Sequence, residues 1–211
     1  GPPTALVGTI GNAQVAFTWA APLDNGGASV TAYTVTAFTS TGVAVSPSKT
    51  CSPSSVSTRA CTITGLTNGT DYKFSVTATN ARGISDASDQ TGLLRPLTVP
   101  GAPTGLTGTV GDSQVSFTWA APASTGGSAV AAYTVTAYTS AGVAISPSKT
   151  CSPASVSTRS CTISGLTNGT AYTFKVAAAN VAGTSDSSIA TASLTPRTTP
   201  GAPTALVGSI E

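Results

Sequence analysis

The 211-residue chain has no histidine and no methionine, and charged residues make up 8% of it. Ordinary soluble proteins carry about a quarter. Each shortage excludes a class of chemistry. Without histidine, no serine or cysteine can be activated by an imidazole base. Seven scattered Asp and Glu residues leave little scope for the facing carboxylate pair of a glycoside hydrolase. Nine scattered Lys and Arg residues, with a net charge of +2, do not form the basic cluster that neutralises phosphates, so nucleic acid is not an expected partner. No apolar run reaches the roughly 18 residues of a membrane-spanning helix. Gly26-Gly27 and Gly126-Gly127 lead into extended segments and not helices, so they do not read as phosphate cradles. Asp86 and Asp186 recur in the two halves of the chain, but one carboxylate apiece falls short of the six or so oxygens of a tight Ca²⁺ site. No catalytic residue, cofactor or metal is expected.

What the chain does have, it has twice. Of the first 100 residues, 65 are identical to the residue 100 positions later. Trp19 recurs as Trp119, Tyr33 as Tyr133, Leu66 as Leu166 and Tyr72 as Tyr172. A fixed period of this kind sets the architecture before any motif does. Gly1 to Gly8 return once more, with one substitution, as Gly201 to Gly208. The expected organisation is a domain over 1–98, a domain over 99–198, and the first strand of a third repeat over 199–211. Leu206, Gly208 and Ile210 would lie on that strand.

Within a repeat, apolar residues alternate with Thr, Ser and Ala at the period of a β-strand. Val15, Phe17 and Trp19 share one phase. So do Tyr33, Val35 and Ala37, then Cys61 and Ile63, then Tyr72, Phe74, Val76 and Ala78. Asn25-Gly26-Gly27, Thr41-Gly42 and Asn68-Gly69 separate the runs with residues that tolerate tight turns. No stretch of ten residues has helical periodicity. About seven short strands in 100 residues predict an all-β chain of two tandem antiparallel sandwiches. The regular alternation also argues against disorder, despite the low charge.

The four cysteines fall two per repeat at matched places, Cys51 with Cys61 and Cys151 with Cys161. In a small Thr- and Ser-rich β module they read as disulfides, hence an oxidising, extracellular or cell-surface setting. Two free buried thiols per repeat is the other reading. Zinc fits poorly, with no histidine and the four sulfurs divided between repeats.

Trp19-Ala20-Ala21-Pro22, Tyr33-Thr34-Val35, Gly65 to Tyr72 and Asn80 to Ser85 follow, in order, the pattern of a fibronectin type III domain, and the second repeat follows it with Trp119, Pro122, Tyr133, Val135, Leu166, Tyr172, Asn180, Gly183 and Ser185. The resemblance implies a seven-stranded immunoglobulin-like sandwich. Trp19 and Trp119 would fill its core from the second strand. Tyr72 and Tyr172 would be tyrosine corners, their hydroxyls bonded to backbone a few residues upstream. It further implies that each cysteine pair brackets the crossover between the fourth and fifth strands. A cysteine just ahead of Gly-Leu-Thr-Asn-Gly-Thr is similar to repeats of bacterial secreted and surface proteins, and typical animal members lack the pair.

Some exposed-looking residues are candidate contact points. Lys49, Arg59 and their twins Lys149 and Arg159 recur within a nearly unchanged stretch, read either as a displayed surface or as the imprint of duplication. Phe38 and Tyr138 fall on an outward phase and read either as a spot that touches a glycan or a neighbouring module, or as rings half-covered by the adjacent crossover loop. Asn68-Gly69-Thr70 fits a glycosylation sequon but also the turn before the tyrosine corner. Arg82-Gly83 is followed by Ile84 and becomes Ala182-Gly183, so no integrin-type tripeptide is present. Pro96, Pro100 and Pro103 stiffen the joint between repeats. The resulting expectation is a non-enzymatic, monomeric spacer or presenting stalk of a large secreted or cell-surface bacterial protein, with neighbouring repeats as its partners. Adhesin modules that bind glycan or a surface protein, and linker modules of a polysaccharide-degrading enzyme, are the alternatives.

Overall fold

The computed structural model describes residues 1–201, and the strand expected around Leu206 lies outside them. The chain forms two compact units. The first comprises Gly1–Pro100 with Ser124–Ala129 and Asn180–Gly183. Among the described residues there is no helix.

The first repeat has seven strands: β1 (Thr4–Gly11), β2 (Gln14–Ala20), β3 (Val30–Thr39), β4 (Thr50–Cys51), β5 (Ala60–Thr64), β6 (Tyr72–Asn80) and β7 (Gly83–Ile84). They make two antiparallel sheets, ordered β1-β2-β5 and β4-β3-β6-β7. The second repeat copies them as β8 (Thr104–Gly111), β9 (Gln114–Ala120), β10 (Ala132–Thr139), β11 (Thr150–Cys151), β12 (Ser160–Ser164), β13 (Tyr172–Asn180) and β14 (Gly183–Thr184). The all-β, two-sandwich expectation holds.

Alternation places the core. Val15, Phe17 and Trp19 of β2 and Ile63 of β5 face Tyr33, Val35 and Ala37 of β3 and Phe74, Val76 and Ala78 of β6, all buried. Phe17 and Phe74 meet across the sheets with ring centroids 4.6 Å apart, and Trp19 sets an edge against Tyr33 at 5.6 Å. Such aromatic pairs add to simple area burial. β1 lies close over this core at Gly8. A Cβ there would sit 2.5 Å from Leu94 Cδ1 and 2.9 Å from Phe17 Cε1, so no larger residue fits without repacking. Gly108 meets Leu194 at 2.6 Å in the same way.

The last strand departs from the expected pattern. β7 is two residues long, and the chain beyond it runs beside β6 with a period of three and not two. The N–H of Ser85 donates to the Ala78 carbonyl, that of Ser88 to Val76, that of Thr91 to Phe74 and that of Leu94 to Tyr72, at 2.8–2.9 Å. The reverse bonds come from side chains. Ala78 N–H donates to Ser85 Oγ at 3.0 Å, Val76 N–H to Ser88 Oγ at 3.1 Å and Phe74 N–H to Thr91 Oγ1 at 3.1 Å. Three residues of the segment thus span two of β6, and a hydroxyl stands where a ladder carbonyl would be. Ser185, Ser188, Thr191 and Leu194 repeat every contact.

The two copies differ at half of the positions 85–94, and those they share are Ser85, Asp86, Ser88, Thr91 and Leu94. Four of these five make the ladder; nothing in the structure explains the fifth, Asp86. Removing one hydroxyl strands a buried N–H, which costs about 1–3 kcal/mol. Ser88→Ala is therefore expected to destabilise the first repeat by that amount in urea unfolding, and to speed amide hydrogen exchange at Val76. Ala87→Ser, the change the second copy itself carries, is expected to do neither. Equal behaviour of the two variants would show the hydroxyl to be dispensable.

Candidate functional site

Cys51 is bonded to Cys61 and Cys151 to Cys161, each pair with Cα atoms 5.9 Å apart. β4 belongs to one sheet and β5 to the other, so each bond staples the two sheets at their open side. Between the cysteines the crossover is almost wholly exposed. Its fixed points are few: Arg59 offers its carbonyl to the Trp19 N–H at 3.2 Å, and Thr58 N–H reaches Ser55 O at 3.1 Å. The Arg59 and Arg159 side chains are exposed.

Lys49 is half-buried, with its Nζ laid over Gly65, 2.9 Å from where a Cβ would stand, and Lys149 covers Gly165 alike at 3.0 Å. Each lysine thus lays its ammonium against the turn glycine instead of projecting freely into solvent. The tyrosine corners are formed: Tyr72 Oη accepts from the Thr67 N–H at 3.1 Å and Tyr172 Oη from Thr167 at 3.2 Å. Leu66 and Leu166 are buried beside them. Asn68 of the sequon is committed at both ends of its amide. Its Oδ1 accepts from Ala13 N–H at 2.8 Å and its Nδ2 donates to Asn12 Oδ1 at 2.8 Å. Asn168 is held likewise by Ser113 and Asp112.

Phe38 and Tyr138 are half-buried on the outer side of their sheets. Phe38 pairs across the ladder with Lys73. Tyr138 pairs with Thr173, and Lys175 places its Nζ 5.3 Å from the Tyr138 ring centroid. Each repeat thus presents one aromatic ring on this side, with a lysine nearby in both. Arg82 lies exposed on the turn before β7, its N–H tied to Asn80 Oδ1 at 2.8 Å. The structure does not gather these residues into one site. Among the described residues no cluster of three or more His, Cys, Asp or Glu is placed to hold a metal ion, and no helix is long and apolar enough to cross a membrane.

The period-three hydroxyl ladder is the arrangement that the sequence reading missed. Its signal was present, Ser-x-x-Ser-x-x-Thr-x-x-Leu in both copies, but a search for alternation passes over it.

One ion pair distinguishes the repeats. Arg95 grips Asp71 through Nε at 2.8 Å and Nη2 at 2.6 Å, while the second copy has Ala171 and Thr195. The hydrogen bonds from Arg95 hold the Asp71 carboxyl below its ordinary value of 3.8, and those to Asp71 push the guanidinium up. A lowered carboxyl contributes stability that is complete above the unfolded value and is lost as pH falls through the folded one. The raised guanidinium would lose its share only at extreme alkalinity. Asp71→Asn is expected to lower the thermal midpoint of the first repeat at pH 7, and to do so less at about pH 2 or in high salt.

The disulfides offer the larger effect. For a closed loop of this length the chain-entropy model gives about 3 kcal/mol. The double variant Cys51→Ser/Cys61→Ser is expected to destabilise the first repeat by about that much in urea, leaving the second repeat's transition in place. A change below about 0.5 kcal/mol would mean the staple is idle.

The fibronectin type III domain profile matches residues 1–92 and again 101–193. Myomesin-2 of Homo sapiens is 37% identical over 128 residues, 56% of this chain and 8% of that protein, so the chain spans a small part of this relative. Among solved structures, the chicken CNTN1 FN1-FN3 domains are similar at 20% identity and a TM-score of 0.45, over 93% of this chain and 66% of that one. A two-domain fibronectin type III segment of chicken tenascin is similar at 19% identity and a TM-score of 0.45, over 92% of this chain and 99% of that one. With the profile covering most of both repeats, this chain belongs to the fibronectin type III family, as two tandem domains.

Proposed function

We propose that this chain is a structural spacer, a presenting stalk within a large secreted or cell-surface bacterial protein, with domains over 1–98 and 99–198. The observation that carries the reading is that each repeat buries its own core and closes it with its own disulfide. A module that is complete in itself can be strung in series without a partner. Fibronectin type III domains are generally non-catalytic structural modules, which is in keeping with a chain that has no histidine.

The disulfides support an oxidising, extracellular setting, because reduced compartments do not sustain such bonds. The bacterial setting rests on the cysteine that precedes Gly-Leu-Thr-Asn-Gly-Thr in both copies. Prolines at 96, 100 and 103 favour extended backbone at the joint, as a stalk requires. Lys49 and Lys149 serve packing in this reading, and Phe38 and Tyr138 are isolated, half-covered rings.

A glycan array probed with the full chain tests this directly. No concentration-dependent binding is expected. Clear binding that is lost in the Phe38→Ala/Tyr138→Ala variant would replace the spacer with a glycan-contacting module.

A further inference from the structure

The chain contains three Asn-Gly steps, Asn25-Gly26, Asn68-Gly69 and Asn168-Gly169. Such a step carries its own chemistry. The side-chain amide carbon of asparagine is an electrophile, and the peptide nitrogen that follows is a nucleophile within reach of it. Glycine adds no Cβ to block the approach. What holds each partner decides if they meet, and the fold holds the three steps differently.

Asn68 and Asn168 are locked. Their side chains are spent on the turn between the first two strands of their repeats, through the bonds to Ala13 and Asn12 and to Ser113 and Asp112. The glycine nitrogens are held too. Gly69 N–H donates to the Pro96 carbonyl and Gly169 N–H to the Pro196 carbonyl, both at 2.9 Å. Nucleophile and electrophile would each have to let go of a partner first.

Asn25 is set up for the reaction instead. It is exposed, on the turn between β2 and β3. Its Oδ1 accepts from the Gly27 N–H at 3.0 Å. To reach the nitrogen two residues on, the side chain folds forward over the intervening Gly26 nitrogen. The same N–H is in place for the charge this oxygen gains on attack at Cγ. The Gly26 N–H donates to Asp24 Oδ1 at 2.8 Å, a carboxylate that can take the proton as the nitrogen attacks. Both bonds lie within Asp24 to Gly27, so they depend on no other part of the chain. In the second repeat Thr125, the counterpart of Asn25, is likewise exposed although Gly126 beside it is buried. Gly126 N–H there makes the matching bond to Ser124 Oγ at 3.2 Å.

We infer that Asn25 is a site of spontaneous deamidation, with water as the co-reactant and Asp24 as the base. Gly26 N bonds to Asn25 Cγ, and its proton passes by way of the Asp24 carboxylate to the departing amide. The Cγ–Nδ2 bond breaks and ammonia leaves. Water then opens the cyclic imide. Addition at Cγ gives aspartate. Addition at the backbone carbonyl gives isoaspartate, in which the chain runs through Cγ, one methylene longer, and the former carbonyl is a free carboxylate. That carbonyl is the one that accepts from Asn80 Nδ2 at 2.7 Å, so this product alters the tie between the turn and the end of β6. Either product adds a negative charge beside Asp24 in a chain whose net charge is only +2. The site is independent of the spacer reading, since it needs no partner.

The test ages the folded full chain near neutral pH at body temperature. Peptide mapping by mass spectrometry follows each Asn-Gly step, with fragmentation that separates aspartate from isoaspartate. Asn25 is expected to convert at least about tenfold faster than Asn68 or Asn168, the equivalent of one hydrogen bond that must open first. In the reduced chain unfolded in guanidinium, the three rates are expected to converge. Asp24→Ser, the residue that the second copy carries at this place, keeps an oxygen for the Gly26 N–H but supplies no base. It is expected to slow conversion about tenfold, short of the roughly hundredfold typical of a base in a closed site. Equal rates at the three steps in the folded chain, a lead of Asn25 that persists unchanged after unfolding, or an undiminished rate in Asp24→Ser would each overturn the assignment.

Discussion

Strand β6 carries the constraint on which the rest of each repeat depends. Tyr72, Phe74, Val76 and Ala78 are all buried on its inner side, and a buried backbone N–H without an acceptor costs as much as a lost hydrogen bond. One edge of β6 is answered by β3, paired with it over almost its whole length. The other edge is answered by a segment that is barely a strand. Ser85, Ser88 and Thr91 supply oxygen from their side chains, and Leu94 closes the run with a true two-way backbone bridge to Tyr72. That bridge places Leu94 against the core, under Gly8. The hydroxyl ladder, the bridge and the glycine in β1 are thus one continuous piece of packing.

The ladder also bears on how the module meets its surroundings. An ordinary edge strand offers a row of free N–H and C=O groups to any passing chain. The segment 85–94 is a poor template, because its hydroxyls are spent inward on β6 and Ser85 and Ser88 also donate to the next residue's carbonyl. At the opposite margin β4 is two residues long and is tied by Cys51 to the other sheet. Both margins of the four-stranded sheet are therefore blunted, by different means. For tandem repeats kept at high local concentration by their own linker, that is the property that lets neighbours remain separate folds.

Much of this was legible in the chain. β2, β3 and β6 announce themselves because one face is buried and the other solvated, and a period of two is the unavoidable imprint of that asymmetry. The cysteine pairing was legible because the repeat supplies two sulfurs and no histidine. β4 and β7 were not, since two residues are too few to show any period. The ladder escaped for a related reason: its register of three against two is set by side-chain reach, a tertiary fact, and Ser and Thr there look like ordinary surface residues. Lys49 looked like a displayed charge because a sequence does not show that its Nζ lies over Gly65. Phe38 is half-buried, and the chain around Ala44 bridges back to it.

Duplication offers its own control. Within 85–94 the two copies diverge at Ala87, Asp89, Gln90, Gly92 and Leu93, all exposed, and they hold at the residues that touch β6. The same filter passes the Asp71–Arg95 ion pair as dispensable, since the second copy replaces both partners by uncharged residues and keeps the fold around them. Exposed pairs of this kind are worth little, and a module that can drop one freely does not rely on charge. It relies on buried aromatics, one sulfur staple and hydroxyls in fixed places. None of these is an exposed ion pair, which salt would screen. The staple is the element that depends on redox conditions, since reducing compartments do not sustain disulfides.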